Sequence, residues 1–115
     1  MELKIIIGKM KIIRNKIIPF KGFKAINLFG ILFVRGESNI NEKTINHESI
    51  HTAQMKELGY IGFYILYLME FLYKLIKLRN AHEAYRNISF EKEAYKFEGY
   101  LSYLKERERF TMWKI

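Results

Sequence analysis

Cysteine is absent from this 115-residue chain, which excludes a disulfide framework, thiol catalysis and any cysteine-ligated metal. Proline occurs once and glycine seven times, so breaks are few and regular structure is expected almost throughout. Long apolar runs are lacking as well. The longest, Tyr60 to Leu72, contains Glu70 and is soon followed by Lys74 and Lys77, short of the roughly 20 apolar residues that cross a bilayer. A helix buried in the core is expected there. Met1 to Ile7 begins apolar, but Lys4, Lys9 and Lys11 interrupt it and no small-residue cleavage site follows. No secretory leader is expected, and the setting expected is the cytoplasm or the periphery of a membrane.

What the chain has in quantity is apolar and basic. Half of its residues are hydrophobic and 16% are aromatic, enough to build one core without covalent staples. A single domain spanning 1–115 is expected. The net charge of +8 raises a nucleic-acid reading, yet the lysines (Lys4, Lys9, Lys11, Lys16, Lys21, Lys24, Lys56, Lys74 and Lys77 among them) are spread along the chain. No recognition-helix, RNA-binding or zinc-finger pattern accompanies them, so a solvated basic surface is expected and no nucleic-acid partner. An anionic membrane surface stays among the partners considered.

The order of patterns predicts an α+β fold. Ile5 to Ile7, Lys11 to Ile18 and Ala25 to Val34 are rich in branched residues and read as two to four strands of a small antiparallel sheet within 1–36. Lys21-Gly22-Phe23 reads as a turn, Gly36-Glu37-Ser38-Asn39 as a loop, and Gly30 as a bulge or a close backbone approach. Residues 41–109 read as about three helices. Asn41 can cap the first, which stops near Leu58 and Gly59. Tyr60 to Arg79 is the second, and Asn80 to Asn87 a connector. The third is expected from Ser89, as cap, to about Arg109.

Inside the first helix stands His47-Glu48-Ser49-Ile50-His51. Residues four apart share a helix face, so two imidazoles can reach one zinc ion from a single rigid element. Glu48 projects at a neighbouring angle, where it can accept a proton from water that the metal activates. Two of the three histidines of the chain fall in this pattern, which chance should produce in well under ~1% of chains this long. A solvated surface helix is the plain alternative. Against it, Thr52, Ala53 and Gln54 follow as small or neutral groups, and Ile45 and Ile50 supply an apolar flank.

Catalytic zinc usually takes three protein ligands. His82 lies in the connector, so a carboxylate from another helix is the better third ligand, and Glu91 and Glu93 offer two. They stand about 200° apart on a helix and cannot both face the metal. Glu91 shares its face with Ala94, Tyr95 and Glu98, whereas either acid also suits the first turn of a helix by its dipole alone. Tyr85, Arg86 and His82, just before that helix, are candidate donors to a developing oxyanion. Glu70, an acid within an apolar helix, needs a partner; it is a candidate to orient His47 or His51, or to pair with Arg86. Gln54, one turn beyond His51, is a similar candidate.

The histidine motif followed by a glutamate within Glu91-Lys92-Glu93-Ala94 resembles the gluzincin peptidases, and the short length with upstream strands is similar to the minigluzincins, minimal soluble scaffolds of that group. The specific part of the likeness is His47 to His51 plus Glu91 to Ala94. It implies a zincin-like fold, Zn2+ held by His47, His51 and Glu91, and Glu48 as the base in hydrolysis of a peptide or unfolded protein. Such folds hold an extended substrate along a strand edge, for which Ala25 to Val34 is the best offer. The group often carries an aspartate four residues after the glutamate, and here Tyr95 stands at that position.

The expected function is therefore zinc-dependent peptide-bond hydrolysis, at low or latent activity. The alternatives are a non-catalytic zinc-binding module of structural or regulatory type, and a membrane-peripheral protein using Tyr60 to Leu78 as an interfacial helix. Phe110, Met112 and Trp113 at an otherwise polar end raise two further expectations: a homo-oligomer, or an Arg107 to Ile115 tail laid over the groove.

Overall fold

The computed structural model describes residues 3–7, 10–19, 24–36 and 39–115. The isoleucine-rich segments form four strands, β1 (Leu3–Ile7), β2 (Met10–Asn15), β3 (Ala25–Leu28) and β4 (Ile31–Arg35). They make one sheet in the order β1-β2-β4-β3. β1 and β2 pair antiparallel, as do β3 and β4, but β2 and β4 run parallel. The sheet is thus mixed rather than antiparallel throughout. β3 lies beyond β4 and runs opposite to it, and β4, inserted between β3 and β2, runs in the same direction as β2. This order puts β3 on the sheet edge. The expected turn Lys21-Gly22-Phe23 and the Glu37-Ser38 part of the expected loop lie outside the described residues.

Leu32 and Val34 of β4 bury the same face as Ile12 of β2, and Ala25, Ile40 and Ile45 pack against it. Gly30 is a hairpin turn rather than a bulge: Phe29 and Gly30 both take positive φ, 54° and 89°, the mirror-image turn that suits the strand twist. It is also a close approach, because a Cβ there would meet Thr52 Cγ2 at 3.2 Å.

Five α-helices follow among the described residues. In α1 (Glu42–Glu57) the Asn41 side chain accepts a hydrogen bond from the Thr44 amide at 2.8 Å. The helix stops at Leu58, ahead of Gly59 at φ 68°. α2 (Ile61–Leu78) has the expected extent, but not the expected burial: Phe63 is its one fully buried residue. The expected connector is helical, α3 (Ala81–Arg86), started by Asn80 accepting from the Glu83 amide at 2.9 Å.

The single helix expected from Ser89 is instead α4 (Ser89–Phe97), α5 (Tyr103–Glu106) and a 3₁₀ turn, Thr111–Trp113. A partner from α1 ends α4. The Asn46 Nδ2 donates to the carbonyl oxygens of Phe97, Glu98 and Tyr100 at 3.2, 2.9 and 3.0 Å, satisfying groups that would otherwise continue the helix. Nor is Ser89 the cap. Ile88 precedes the helix, and Glu70 of α2 accepts from both the Ser89 amide (2.6 Å) and hydroxyl (2.8 Å).

Ile50, Ala94 and Tyr103 join α1 to α4 and α5, while Met55, Phe63, Ile88, Phe90 and Met112 join α1, α2, α4 and the 3₁₀ turn. Arg107 locks the end of the chain onto this body. Its guanidinium donates to Glu93 Oε2 at 2.5 Å and to Glu57 Oε2 at 2.9 Å, with side-chain exposures of 5%, 0% and 9% for the three residues. Removing one partner from a buried ion cluster leaves uncompensated charge. Arg107→Ala is expected to lower stability by about 3–5 kcal/mol, read as a reduced urea midpoint at unchanged slope; a loss near zero would show the cluster to be solvent-screened.

Candidate metal centre

His47 and His51 lie one turn apart on the buried face of α1, and Glu91 lies in the first turn of α4. Ala94, fully buried against Ile50, lets the two helices approach. One ligand atom from each of the three residues falls within 4.8 Å of the others. Glu91 Oε1 is 3.1 Å from His47 Nε2 and 3.0 Å from His51 Nε2.

The other ring nitrogens are engaged from behind. His47 Nδ1 meets Glu98 Oε1 at 2.9 Å, and His51 Nδ1 meets Gln54 Oε1 at 2.8 Å. Each of these oxygens accepts, so each Nδ1 carries a hydrogen, and with both rings neutral, as a metal ion requires, each Nε2 presents its lone pair on the Glu91 side. Three electron-rich atoms then converge in a buried place. A divalent cation satisfies all three at once, and two imidazoles with one carboxylate form a donor set that zinc accepts. The residues present fit the metal.

In the metal-free chain a proton takes part of that role. Burial opposes charge on His51, yet Glu91, with smaller help from Glu48 and Gln54, raises it from 6.5 to about 9. Burial pushes Glu91 up, but the His51 charge and hydrogen bonds from His47, His51 and Tyr67 hold it well below the usual carboxylate range. Tyr67, on α2, donates to Glu91 Oε2 at 2.6 Å, and burial together with Glu91 raises its phenol.

The remaining candidates separate clearly. Glu93 faces away from the histidines, bonded to Gln54, Tyr103 and Arg107, and is no ligand. Glu70 touches neither histidine nor Arg86; it holds the start of α4 and acts on the centre only through the helix that carries Glu91. Tyr95 does not orient His47 by a hydrogen bond: its ring packs edge-on at 4.5 Å, and Glu98, two turns after Glu91, takes the acceptor position. Arg86 is spent on the Tyr95 ring, 3.7 Å from its centre. His82 is exposed and lines neither cavity described below. Tyr85 does line both, with its hydroxyl 2.7 Å from that of Tyr95, and burial followed by Glu91 raises its phenol so that it stays a donor.

A groove of about 600 Å³ opens on the centre, walled by β3 on one side and by Phe63, Tyr64 and Tyr67 of α2 on the other. Asn27 clamps β3 to α1, its Nδ2 donating to Glu48 O at 2.9 Å and Thr52 Oγ1 at 3.1 Å. The Tyr64 hydroxyl bridges the Phe29 amide and Asn27 O. A second cavity of about 380 Å³ lies between Lys43, Tyr85, Tyr95 and Glu98. Glu48 lines both cavities, and among the described residues only its main-chain oxygen, not its carboxylate, is hydrogen-bonded. No residue of the Arg107–Ile115 tail lines either one; the tail closes the core behind α4 instead of covering the groove.

Four contributors were not assigned from sequence: Glu98, Tyr67, Asn27 and Asn46. Only Glu98 left a signal, by sharing the Glu91 face. No family model, curated protein or solved structure matches this chain. The likeness to gluzincins therefore rests on the sequence motif alone, and the geometry shows a His47–His51–Glu91 cluster that could hold a metal ion.

Two expectations follow. His51 holds its proton in the folded metal-free chain to about pH 9 and in the unfolded chain only to its ordinary 6.5. Its charge thus supports the fold fully below pH 6.5 and that support is lost as pH rises through 9. The Tm of the metal-free protein is expected to fall over this interval, and a flat Tm would contradict the buried His51–Glu91 pair. Second, Glu98→Ala removes the acceptor behind His47 and is expected to weaken zinc binding about 10–100-fold, measured by competition with a chromogenic chelator. Unchanged affinity would show that Glu98 does not orient the ring.

Proposed function

We propose that this chain is a small zinc-dependent peptidase of gluzincin type, acting on extended peptide or unfolded protein. The observation that carries the reading is the convergence of His47, His51 and Glu91 on one buried point, beside Glu48 in the lining of a groove, its carboxylate without a hydrogen bond among the described residues. Zinc bound there supplies a Lewis acid that polarises a carbonyl and brings the pKa of water toward ~7.

The chain's own residues supply the rest. Glu48 takes the proton from the attacking water and delivers it to the leaving amine, two transfers of one proton by one carboxylate. Tyr85, held as a neutral phenol, donates toward the oxygen on which charge develops. Glu98 and Gln54 keep the two imidazoles in the tautomer that faces the ligand point. β3 is one edge of the sheet, with no further strand beside it among the described residues. The Lys24–Arg35 bond and the hairpin register turn the main-chain groups of Ala25 and Asn27 outward, where an extended substrate can add as a further strand. Leu28, Met55 and Phe63 give the groove an apolar lining.

Metal content and cleavage of an unfolded protein, read together, test this. Wild type is expected to hold about one zinc per chain, and His51→Ala and Glu91→Ala to lose it. Glu48→Gln is expected to keep its zinc and lose about 10²–10⁴ in kcat/KM. Fully zinc-loaded wild type that cleaves nothing would sink the peptidase reading and leave a non-catalytic zinc module.

A further inference from the structure

Helix α2 is apolar on two sides and the fold buries only one. Phe63 enters the core with Met55, Ile88, Phe90 and Met112, and Tyr64, Tyr67 and Phe71 border that cluster. Opposite them stand Ile61, Ile65, Leu68, Met69, Leu72 and Ile76, exposed by 47% to 77%. At about 100° per residue these six fall within about one third of the helix circumference. The charged residues of α2, Glu70, Lys74 and Lys77, all have backbone positions outside this arc. Contiguous apolar surface of this kind marks an interaction site.

We propose that this face of α2 docks onto an anionic lipid bilayer, with the helix lying in the plane of the interface. Charge selects this occupant. A chain carrying +8 is drawn to anionic lipid and repelled by a second copy of itself. The shape of the stripe agrees. A self-pairing helix presents a narrow seam flanked by charges, whereas the positions flanking Ile61, Ile65, Leu68 and Leu72 here include Gly62, Met69 and Ile76. At its border Tyr73 is 60% exposed, with Lys74 and Lys77 ammonium groups 6.0 and 5.8 Å from its ring, and Arg79 follows at the helix end. An amphipathic ring beside long cationic side chains is the composition that settles at headgroup level. Among the described residues no helix is long and apolar enough to cross a membrane, so α2 lies on the surface. Phe63, Tyr64 and Tyr67 reach the groove from the opposite side of the helix, and docking leaves the groove open. The inference stands whether or not the groove hydrolyses peptides.

Sedimentation of the full chain with unilamellar vesicles tests it, comparing phosphatidylcholine alone with phosphatidylcholine carrying one third phosphatidylserine. Wild type is expected to bind the anionic vesicles at least about tenfold more tightly and to weaken as salt rises. The triple variant Ile65→Gln, Leu68→Gln, Leu72→Gln, whose side chains lie outside the core, is expected to lose at least about tenfold in binding while keeping its circular dichroism and zinc content. If that variant fails to fold, Lys74→Glu with Lys77→Glu replaces it, with loss of the preference for anionic lipid expected. Wild type that remains in the supernatant with both vesicles overturns the proposal, as does a folded triple variant that binds like wild type. A wild-type dimer in lipid-free sedimentation velocity that the triple variant abolishes, without vesicle binding, would assign the face to a second copy.

Discussion

Glu91 Oε1 lies 3.1 and 3.0 Å from the Nε2 atoms of His47 and His51, at a residue only 4% exposed. A carboxylate withdrawn from water so far is costly unless positive charge is placed against it. In the metal-free chain the His51 proton supplies that charge, and a divalent cation can supply it through the same three atoms. Much of the helical packing serves this meeting. Ala94 and Ile50 are both fully buried where α4 crosses α1, and a larger side chain at position 94 would carry Glu91 away from the histidines.

Holding three polar side chains in a buried place requires that everything behind them also be satisfied, since a half-bonded buried network is worse than an apolar core. The chain meets this with two lines of contacts. One runs from His47 to Glu98 and on to the Lys43 ammonium at 3.2 Å. The other runs from His51 through Gln54 to Glu93, then to Arg107 and Glu57. By the second line the C-terminal segment, remote in sequence from the motif, becomes part of the support for one imidazole. Tyr67 completes Glu91 from a third helix.

Helix α2 connects these parts and shows how one element carries several constraints. Its inner side walls the groove with Phe63, Tyr64 and Tyr67, its Glu70 starts the helix that bears Glu91, and its outer side remains apolar and uncovered. An apolar residue on α2 therefore has three different environments depending on its angle: core, groove wall or outer surface. Composition alone places all three in a core.

Much of the architecture was legible in local chemistry. Asn41 as a cap, Gly59 as a stop and the branched runs as strands all follow from backbone preferences that act over a few residues. So does the pairing of His47 with His51, because a four-residue spacing on a helix determines which side chains share a face. What was not legible depends on neighbours distant in sequence. Asn46 breaks the expected third helix by taking the carbonyl groups of Phe97, Glu98 and Tyr100, and nothing near Phe97 announces it. The parallel pairing of β2 with β4 comes from the insertion of β4 between β3 and β2, not from strand composition. The roles of Glu98, Tyr67 and Asn27 belong to the same class, whereas the choice of Glu91 over Glu93 was already made by the motif resemblance. Spacing along one helix was determined by the sequence itself, since it is a property of covalent geometry and of 3.6 residues per turn. Which second helix faces that spacing, and which side of α2 meets solvent, was decided only when long-range packing set the helices at their distances and angles.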